Sequence, residues 1–181
     1  MRHAPALFAL CAAALALTPA AAAEQVDIKN GDLTLRAMLY RPAGADRVPA
    51  VVAMHGCGGL WTRSAKITPR FNEWGDRLQA AGFAVLFPDS FGSRNLGSQC
   101  KNAKRSVRVS RDRVADANAA RLWLQSQPWV IAERVSLIGW SNGATATLWT
   151  VKDKDEKQPP NAEFRSAVAL YPGCRQLRDA A

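Results

Sequence analysis

The fold of this chain is decided by ten residues, Val135-Ser136-Leu137-Ile138-Gly139-Trp140-Ser141-Asn142-Gly143-Ala144. They begin as a buried strand, pass through the motif G-x-S-x-G and continue into the small residues that open a helix. This pattern predicts a nucleophile elbow, a strand-to-helix turn so tight that only glycine fits on either side of the serine. Ser141 is therefore the predicted nucleophile. The alternative is a glycine-rich turn without one.

Apolar runs recur on both sides of the elbow. They occupy residues 50–54, 83–87, 135–138 and 167–171. Because they lack polar alternation, they are typical of parallel strands buried on both faces. An alternating segment before them, with Asn30-Gly31 in its middle, predicts an antiparallel β-hairpin.

Helical periodicity separates these runs. One helix is predicted to start at Thr68-Pro69 and to end before Gly82, a second to end before Pro128, and a third to start directly after Ser141. Alternating strands and helices predict an α/β domain with a doubly wound, mostly parallel sheet.

A second chemical motif follows the first predicted parallel strand. The residues His55-Gly56-Cys57-Gly58-Gly59 are similar to the glycine-rich loop that supplies backbone N–H groups to an oxyanion hole. We assign the donors to the amide of Asn142 and to that of Cys57 or, alternatively, Gly58. His55 precedes the nucleophile, whereas the triad order of such folds is serine, acid, histidine. We therefore expect His55 to hold the loop.

The expected catalytic base is missing from this sequence. His3 and His55 are its two histidines, and neither follows Ser141. The acids after the nucleophile lie before or at the next strand, or in the tail: Asp153, Asp155, Glu156, Glu163 and Asp179. A serine hydroxyl needs a base for activation, so we expect the triad to be incomplete.

Four motifs in order resemble exported dienelactone-hydrolase-like α/β-hydrolases. They are H-G-C-G-G, P-D-S-F-G-x-R, G-W-S-N-G and Y-P-G-C, at residues 55–59, 88–94, 139–143 and 171–174. The resemblance implies an α/β-hydrolase fold and a carboxylic-ester or lactone hydrolase without a cofactor, acting on a small molecule. Members of the family continue past Y-P-G-C with strands that carry the acid and histidine, so we expect the domain to be incomplete at its C-terminus.

The nucleophile and Arg94 are two positions at which this chain can be compared with that family. Dienelactone hydrolases use a cysteine nucleophile, so Ser141 favours serine-esterase chemistry. They also keep an arginine that binds the substrate carboxylate, which makes Arg94 a candidate substrate-binding residue; the alternative is a surface arginine on a loop.

Three cysteines follow the N-terminal segment: Cys57, Cys100 and Cys174. Each follows a predicted strand on the same rim as Ser141, and we expect a disulfide between Cys57 and Cys100. Cys174 would await another partner. No C-x-x-C spacing is present, so the sequence predicts no metal site.

The first 23 residues have the pattern of a secretory signal peptide. A charged start at Arg2 precedes an apolar run from Ala6 to Leu17, and small residues end at Ala23. That run is shorter than the roughly 20 residues a membrane-spanning helix needs. We expect cleavage near Ala23, a periplasmic or secreted protein without stable membrane insertion, and one domain over residues 24–181.

The chain is basic, with a formal net charge of +9. The densest basic stretch runs from Lys101 to Arg113, and we expect a solvated loop and helix start there; attraction of anionic substrates is the alternative. Export and the lack of any recognition motif argue against nucleic acid. The sequence thus predicts a serine hydrolase of esters or lactones, with a non-catalytic hydrolase domain that binds a ligand or partner as the alternative.

Overall fold

The computed structural model describes residues 22–44, 47–152, 163–173 and 177. Residues 1–21 of the predicted signal peptide lie outside these residues, as do Cys174, Asp179, Asp153, Asp155 and Glu156.

The first described element is the predicted hairpin. Strands β1 (Glu24–Asn30) and β2 (Leu33–Tyr40) pair antiparallel around a turn in which Gly31 has φ +59°. Alternate side chains such as Ile28 and Leu35 are buried while their neighbours face solvent. The alternation seen in the sequence is therefore the in–out alternation of an antiparallel pair.

Four further strands follow the hairpin in the described residues: β3 (Val48–Met54), β4 (Ala84–Pro88), β5 (Val130–Trp140) and β6 (Ala167–Leu170). Within the described residues the sheet has the order β1-β2-β4-β3-β5-β6, and the last four strands in that order are mutually parallel. The predicted mostly parallel α/β-hydrolase sheet is confirmed.

In the described part of the chain, three α-helices cover the sheet: α1 (Pro69–Ala80), α2 (Asp112–Gln125) and α3 (Asn142–Val151). Helix α1 packs through Phe71 on one face, against Phe87 and Trp140. Helix α2 packs through Ala117, Ala120 and Leu124 on the other face. The strands are thus buried from both sides, which explains their continuous apolar runs.

The edge strand β6 departs from that pattern. Its first two residues are exposed and Val168 keeps 48% of its surface accessible, because no described strand pairs with its outer side. None of the described helices has the length and apolar character needed to cross a membrane.

The carboxyl ends of parallel strands lie at one edge of a sheet, and the candidate functional residues lie at this edge. The segments that follow β3, β4, β5 and β6 begin at His55, Asp89, Ser141 and Tyr171. Residues far apart in sequence therefore meet there.

Candidate active site

Ser141 occupies a strained turn between β5 and α3. Its backbone has φ 53° and ψ −115°, a conformation that non-glycine residues rarely adopt. A Cβ at Gly143 would overlap the carbonyl oxygen of Met54 and lie 2.6 Å from that of His55. A Cβ at Gly139 would lie 2.5 Å from Oγ1 of Thr147. Both glycines are thus required by close packing.

Hydrogen bonds hold the elbow on both sides. The N–H of Ser141 donates to the carbonyl of Leu170 at 3.0 Å, which ties the turn to β6. The carbonyl of Ser141 accepts from the N–H of Thr145 at 3.0 Å. The strained conformation is therefore over-determined by its neighbours.

The glycine loop after β3 lies against this elbow. A Cβ placed on Gly56 would be 3.4 Å from the carbonyl oxygen of Trp140 and 3.7 Å from Cβ of Ser141. The N–H of Gly59 is bonded to the carbonyl of Gly56 at 3.2 Å. In the described part of the chain, the N–H groups of Cys57 and Gly58 have no acceptor. These are the two amides that the sequence offered as oxyanion donors.

Asn142, the other assigned donor, is the first residue of α3. The first N–H groups of a helix have no acceptor within the helix, so they are available to an oxyanion. The side chain of Asn142 is buried, and its Oδ1 accepts a hydrogen bond from Nη1 of Arg113 at 2.7 Å.

A disulfide fixes the far side of the glycine loop. Cys57 is bonded to Cys100, the pairing that we expected, and the N–H of Gln99 donates to the carbonyl of Cys57 at 2.8 Å. The loop is thereby attached covalently to the segment after β4.

His55 is a structural residue in this arrangement. It is fully buried, and its Nε2 accepts from the N–H of Ser90 at 3.2 Å while Nδ1 donates to the carbonyl of Gly56 at 2.8 Å. Burial, reinforced by the charge of Arg113, holds the pKa of His55 well below its usual value of 6.5. The ring is therefore neutral, and the 3.9 Å approach of Nε2 to Asp89 is not an ion pair.

Arg113 is the residue that the sequence analysis placed wrongly. We expected a solvated basic stretch from Lys101 to Arg113, but Arg113 is fully buried beneath the elbow. Besides Asn142 it donates from Nη2 to the carbonyl of His55 at 2.7 Å, and its guanidinium lies 5.2 Å from the ring centre of Phe91. Burial lowers its pKa to about 10, so it stays charged at neutral pH.

A signal for this burial was present in the sequence. Arg113 precedes Ala117, Ala120 and Leu124 at helical spacing, so it lies on the buried stripe of α2. A cation on an apolar stripe is costly unless its donors are satisfied, as they are here.

Arg94 is not brought to the candidate site. It pairs with both carboxylate oxygens of buried Asp116, at 2.8 and 2.9 Å, and donates to the carbonyl of Ser90 at 2.7 Å. Because a bidentate pair occupies the guanidinium fork, the structure corrects its proposed role as a substrate-binding residue.

A cavity of about 460 Å³ opens at Ser141. Its lining residues come from the glycine loop, the start of α1 and the ends of β5 and β6: Gly56, Cys57, Gly58, Gly59, Thr68, Pro69, Arg70, Phe71, Cys100, Trp140, Ser141 and Tyr171. Sequence reasoning missed Arg70 and Tyr171, whose side chains are joined by a hydrogen bond of 3.1 Å from Nη1 to the phenol oxygen. They are 101 residues apart, so no local pattern could have paired them.

This combination of a parallel sheet, a serine elbow and an adjoining glycine loop defines an α/β-hydrolase with a candidate serine nucleophile. The model of the prolyl oligopeptidase family matches residues 69–173. The chain belongs to that family.

Solved structures agree with the fold. A dienelactone hydrolase-like promiscuous phosphotriesterase from metagenomic libraries is 23% identical, with a TM-score of 0.59 over 73% of this chain and 54% of that one. Thermogutta terrifontis esterase 2, phosphoramylated by tabun, is 25% identical, with a TM-score of 0.59 over 83% of this chain and 56% of that one. Porphyromonas gingivalis dipeptidyl peptidase 4 is 21% identical, with a TM-score of 0.61 over 85% of this chain and 21% of that one.

The likeness to dienelactone-hydrolase-like proteins is thus confirmed for the fold. The chain spans 54% of the length of the first of these structures, 56% of the second and 21% of the third.

Proposed function

We propose that this protein hydrolyses a carboxylic ester or lactone through an acyl-enzyme on Ser141. The observation that carries the proposal is the position of Ser141, held at φ 53° beside the free N–H groups of Cys57 and Gly58 in one cavity. A nucleophile facing unpaired backbone donors is the arrangement that acyl transfer requires.

In the proposed reaction, Oγ of Ser141 attacks the carbonyl carbon and its proton passes to a general base. The carbonyl oxygen becomes an oxyanion that accepts from the N–H of Asn142 and from that of Cys57 or Gly58. One such donor contributes about 3 kcal/mol to the transition state. The ester C–O bond then breaks, the alcohol leaves with a proton, and water hydrolyses the acyl-enzyme. This chemistry needs no cofactor.

The described residues do not supply the base. His55 is the one histidine among them, and both of its ring nitrogens are already hydrogen-bonded. Glu163 is exposed and its charge acts on Arg121 of α2, whose guanidinium covers Phe164.

Fluorophosphonate labelling tests the proposal, because such probes react with an activated serine. We expect labelling of the protein isolated from its native host, with loss of label in Ser141→Ala. Ser136→Ala is the matched control, since Ser136 lies on the same strand and its hydroxyl is bonded to Ser166. Recombinant residues 24–181 should not react.

The intact mass of the native protein, measured without reduction, completes this experiment. A mass above that of residues 24–181 together with labelling supports a serine hydrolase whose base lies elsewhere in the protein. A mass equal to residues 24–181 without labelling overturns the proposal and favours a non-catalytic domain that binds a ligand or partner. The same mass tests cleavage near Ala23 and thus the export that we propose.

A further inference from the structure

We propose that Arg113 is a positioning residue for the reaction at Ser141, because its guanidinium sets the distance between the two backbone donors of the oxyanion hole. The inference rests on the proposed function and adds a residue to the same site. Arg113 does not line the cavity at Ser141, so it acts through the groups that it binds. Its role therefore differs from that of a residue that binds the substrate.

The guanidinium of Arg113 links segments that follow three strands of the sheet. Nη1 donates to Oδ1 of Asn142, after β5, at 2.7 Å, and Nη2 donates to the carbonyl of His55, after β3, at 2.7 Å. Nε donates to the hydroxyl of Ser90, after β4, at 3.4 Å. One side chain of α2 thus connects the ends of β3, β4 and β5.

Two of these partners belong to the segments that carry the proposed oxyanion donors. Asn142 offers its own N–H, and His55 precedes Cys57 and Gly58 in the glycine loop. Such donors have to lie about 2.7–3.1 Å from the position that the oxyanion will occupy. The distance between the two segments therefore decides whether both donors reach one oxygen atom. A planar guanidinium binds its acceptors in fixed directions, so it can set that distance.

The sheet does not extend to these donors. The last pair that joins β3 to β5 is Met54 with Gly139. Among the described residues, no backbone hydrogen bond joins residues 55–58 to residues 140–143. Gly143 packs against the carbonyl of His55, so the two segments touch. Arg113 supplies the hydrogen bonds that connect them.

Burial keeps this link rigid. Arg113 is fully buried, and its guanidinium lies 5.2 Å from the ring centre of Phe91, which also contacts the ring of His55 edge-on. Burial lowers the pKa of Arg113 to about 10, but the charge of nearby Asp116 opposes this shift, so the guanidinium stays charged at neutral pH. Hydrogen bonds from a charged donor are stronger than neutral ones, and a low dielectric constant strengthens them further. The link therefore resists movement of the two segments.

Cutting the link from either end tests the inference in the protein produced in its native host. Arg113→Lys keeps the positive charge but loses the planar fork that binds two acceptors. Asn142→Ala removes one acceptor from the other end and keeps the backbone N–H. We expect each variant to hydrolyse p-nitrophenyl acetate with a kcat lowered about tenfold to hundredfold, since a misplacement of about 1 Å costs roughly a hundredfold in rate. KM should stay nearly unchanged.

Leu124→Ala is the matched control for a loss of stability. Leu124 is fully buried on the same stripe of α2, and its truncation leaves a cavity without breaking a hydrogen bond to the elbow or the glycine loop. This variant should keep the kcat of the wild type at a temperature where circular dichroism shows it to be folded. An equal loss of kcat in Leu124→Ala and Arg113→Lys would show a general effect of instability and overturn the inference.

A ketone inhibitor reports on the oxyanion hole itself. When Oγ of Ser141 adds to the carbonyl carbon of butyl trifluoromethyl ketone, a C–O bond forms, the proton of Oγ passes to the general base and the ketone oxygen becomes an oxyanion. Butyl methyl ketone is too weakly electrophilic for this addition and binds as the neutral ketone. Arg113→Lys should weaken binding of the trifluoromethyl ketone by the same factor as kcat and leave binding of the methyl ketone unchanged. Equal losses for the two ketones overturn the inference.

Amide hydrogen exchange decides the role of Arg113 independently of activity. In Arg113→Lys and Asn142→Ala, peptides that cover residues 55–59 and 139–145 should exchange faster than in the wild type, whereas the β1–β2 hairpin should be unchanged. Unchanged exchange at both segments, or faster exchange with an unchanged kcat, overturns the inference. If the wild type neither hydrolyses the ester nor is labelled, the hydrolase proposal fails. The exchange rates alone then show whether Arg113 fixes the two segments.

Discussion

Two regions on either side of Ser141 contrast in how they use arginine. Behind the nucleophile, Arg113 is fully buried and its guanidinium joins Asn142 of the elbow to His55 of the glycine loop. In front of it, Arg70 is exposed and touches one neutral phenol oxygen. A satisfied buried cation positions the backbone, whereas an unneutralised exposed one can meet a ligand. The two arginines should therefore respond differently to substitution.

The largest expected effect is that of Arg113→Met. The substitution leaves two buried acceptors, Oδ1 of Asn142 and the carbonyl of His55, without donors, at a total cost of about 4 kcal/mol in the free energy of unfolding. Urea unfolding measures it. Arg111→Met, at an exposed neighbour, should leave the midpoint nearly unchanged. Equal midpoints for the two variants would contradict the buried role.

Gly143→Ala should destabilise the region behind Ser141 through a steric clash. The new Cβ would overlap the carbonyl oxygen of Met54, and backbone there has little freedom to move. We expect a loss of about 3 kcal/mol in the free energy of unfolding. Gly97→Ala is the control because nothing lies within 4 Å of its added Cβ. Similar unfolding curves for both variants would show that the elbow is less tightly packed than described.

His55, which lies behind Ser141, should make the free energy of unfolding depend on pH. The folded state keeps the pKa of His55 well below 6.5, so the unfolded chain binds one more proton as the pH falls below that value. The stability that neutral His55 contributes is complete above about pH 6.5 and is lost on acidification, at about 1.4 kcal/mol per pH unit until the folded-state pKa is reached. Urea unfolding of the wild type and His55→Gln at pH 7.5 and 5.5 checks this. The difference between the two proteins should shrink at pH 5.5; a constant difference would contradict it.

The smallest expected effect on stability is that of a substitution in α1, the helix that carries Arg70 in front of Ser141. A Cβ at Gly75 of α1 would lie 2.6 Å from the ring of Tyr40. Overpacking of about 2 kcal/mol is partly offset by about 1 kcal/mol of helix propensity, which leaves Gly75→Ala about 1 kcal/mol less stable. Because the clash is between α1 and Tyr40 of β2 and does not involve the hydrogen bonds of His55, the acid dependence due to His55 should persist in this variant. Its disappearance would mean that the two regions are coupled.

Much of the fold could be predicted because its signals are local. Pro69 occupies the first position of α1 and Asn30-Gly31 lies at the turn of the hairpin, as predicted, since the conformational preferences of proline and glycine act within a few residues. The apolar run at residues 167–171 predicted strand β6, whereas the exposure of this strand depends on what pairs beside it.

In the candidate site, too, local motifs could be predicted from the sequence whereas long-range side-chain contacts could not. The elbow and the glycine loop are contiguous motifs, and the structure places them together as the sequence order implied. Arg94 was proposed as a substrate-binding residue by resemblance, but in the structure it pairs with Asp116, 22 residues away. Which arginine reaches the cavity depends on side-chain partners that no motif records.

The sequence by itself determined the strand-turn-helix elbow, because G-x-S-x-G after a β run leaves the backbone few conformations. It also determined the order of strands and helices. Only the tertiary structure decided the partners of the arginines: Arg113 with the elbow and Arg70 with Tyr171. The physical reason is that parallel strands bring distant segments to one edge, where burial and hydrogen bonding determine whether a charge supports the site or stays exposed in the cavity.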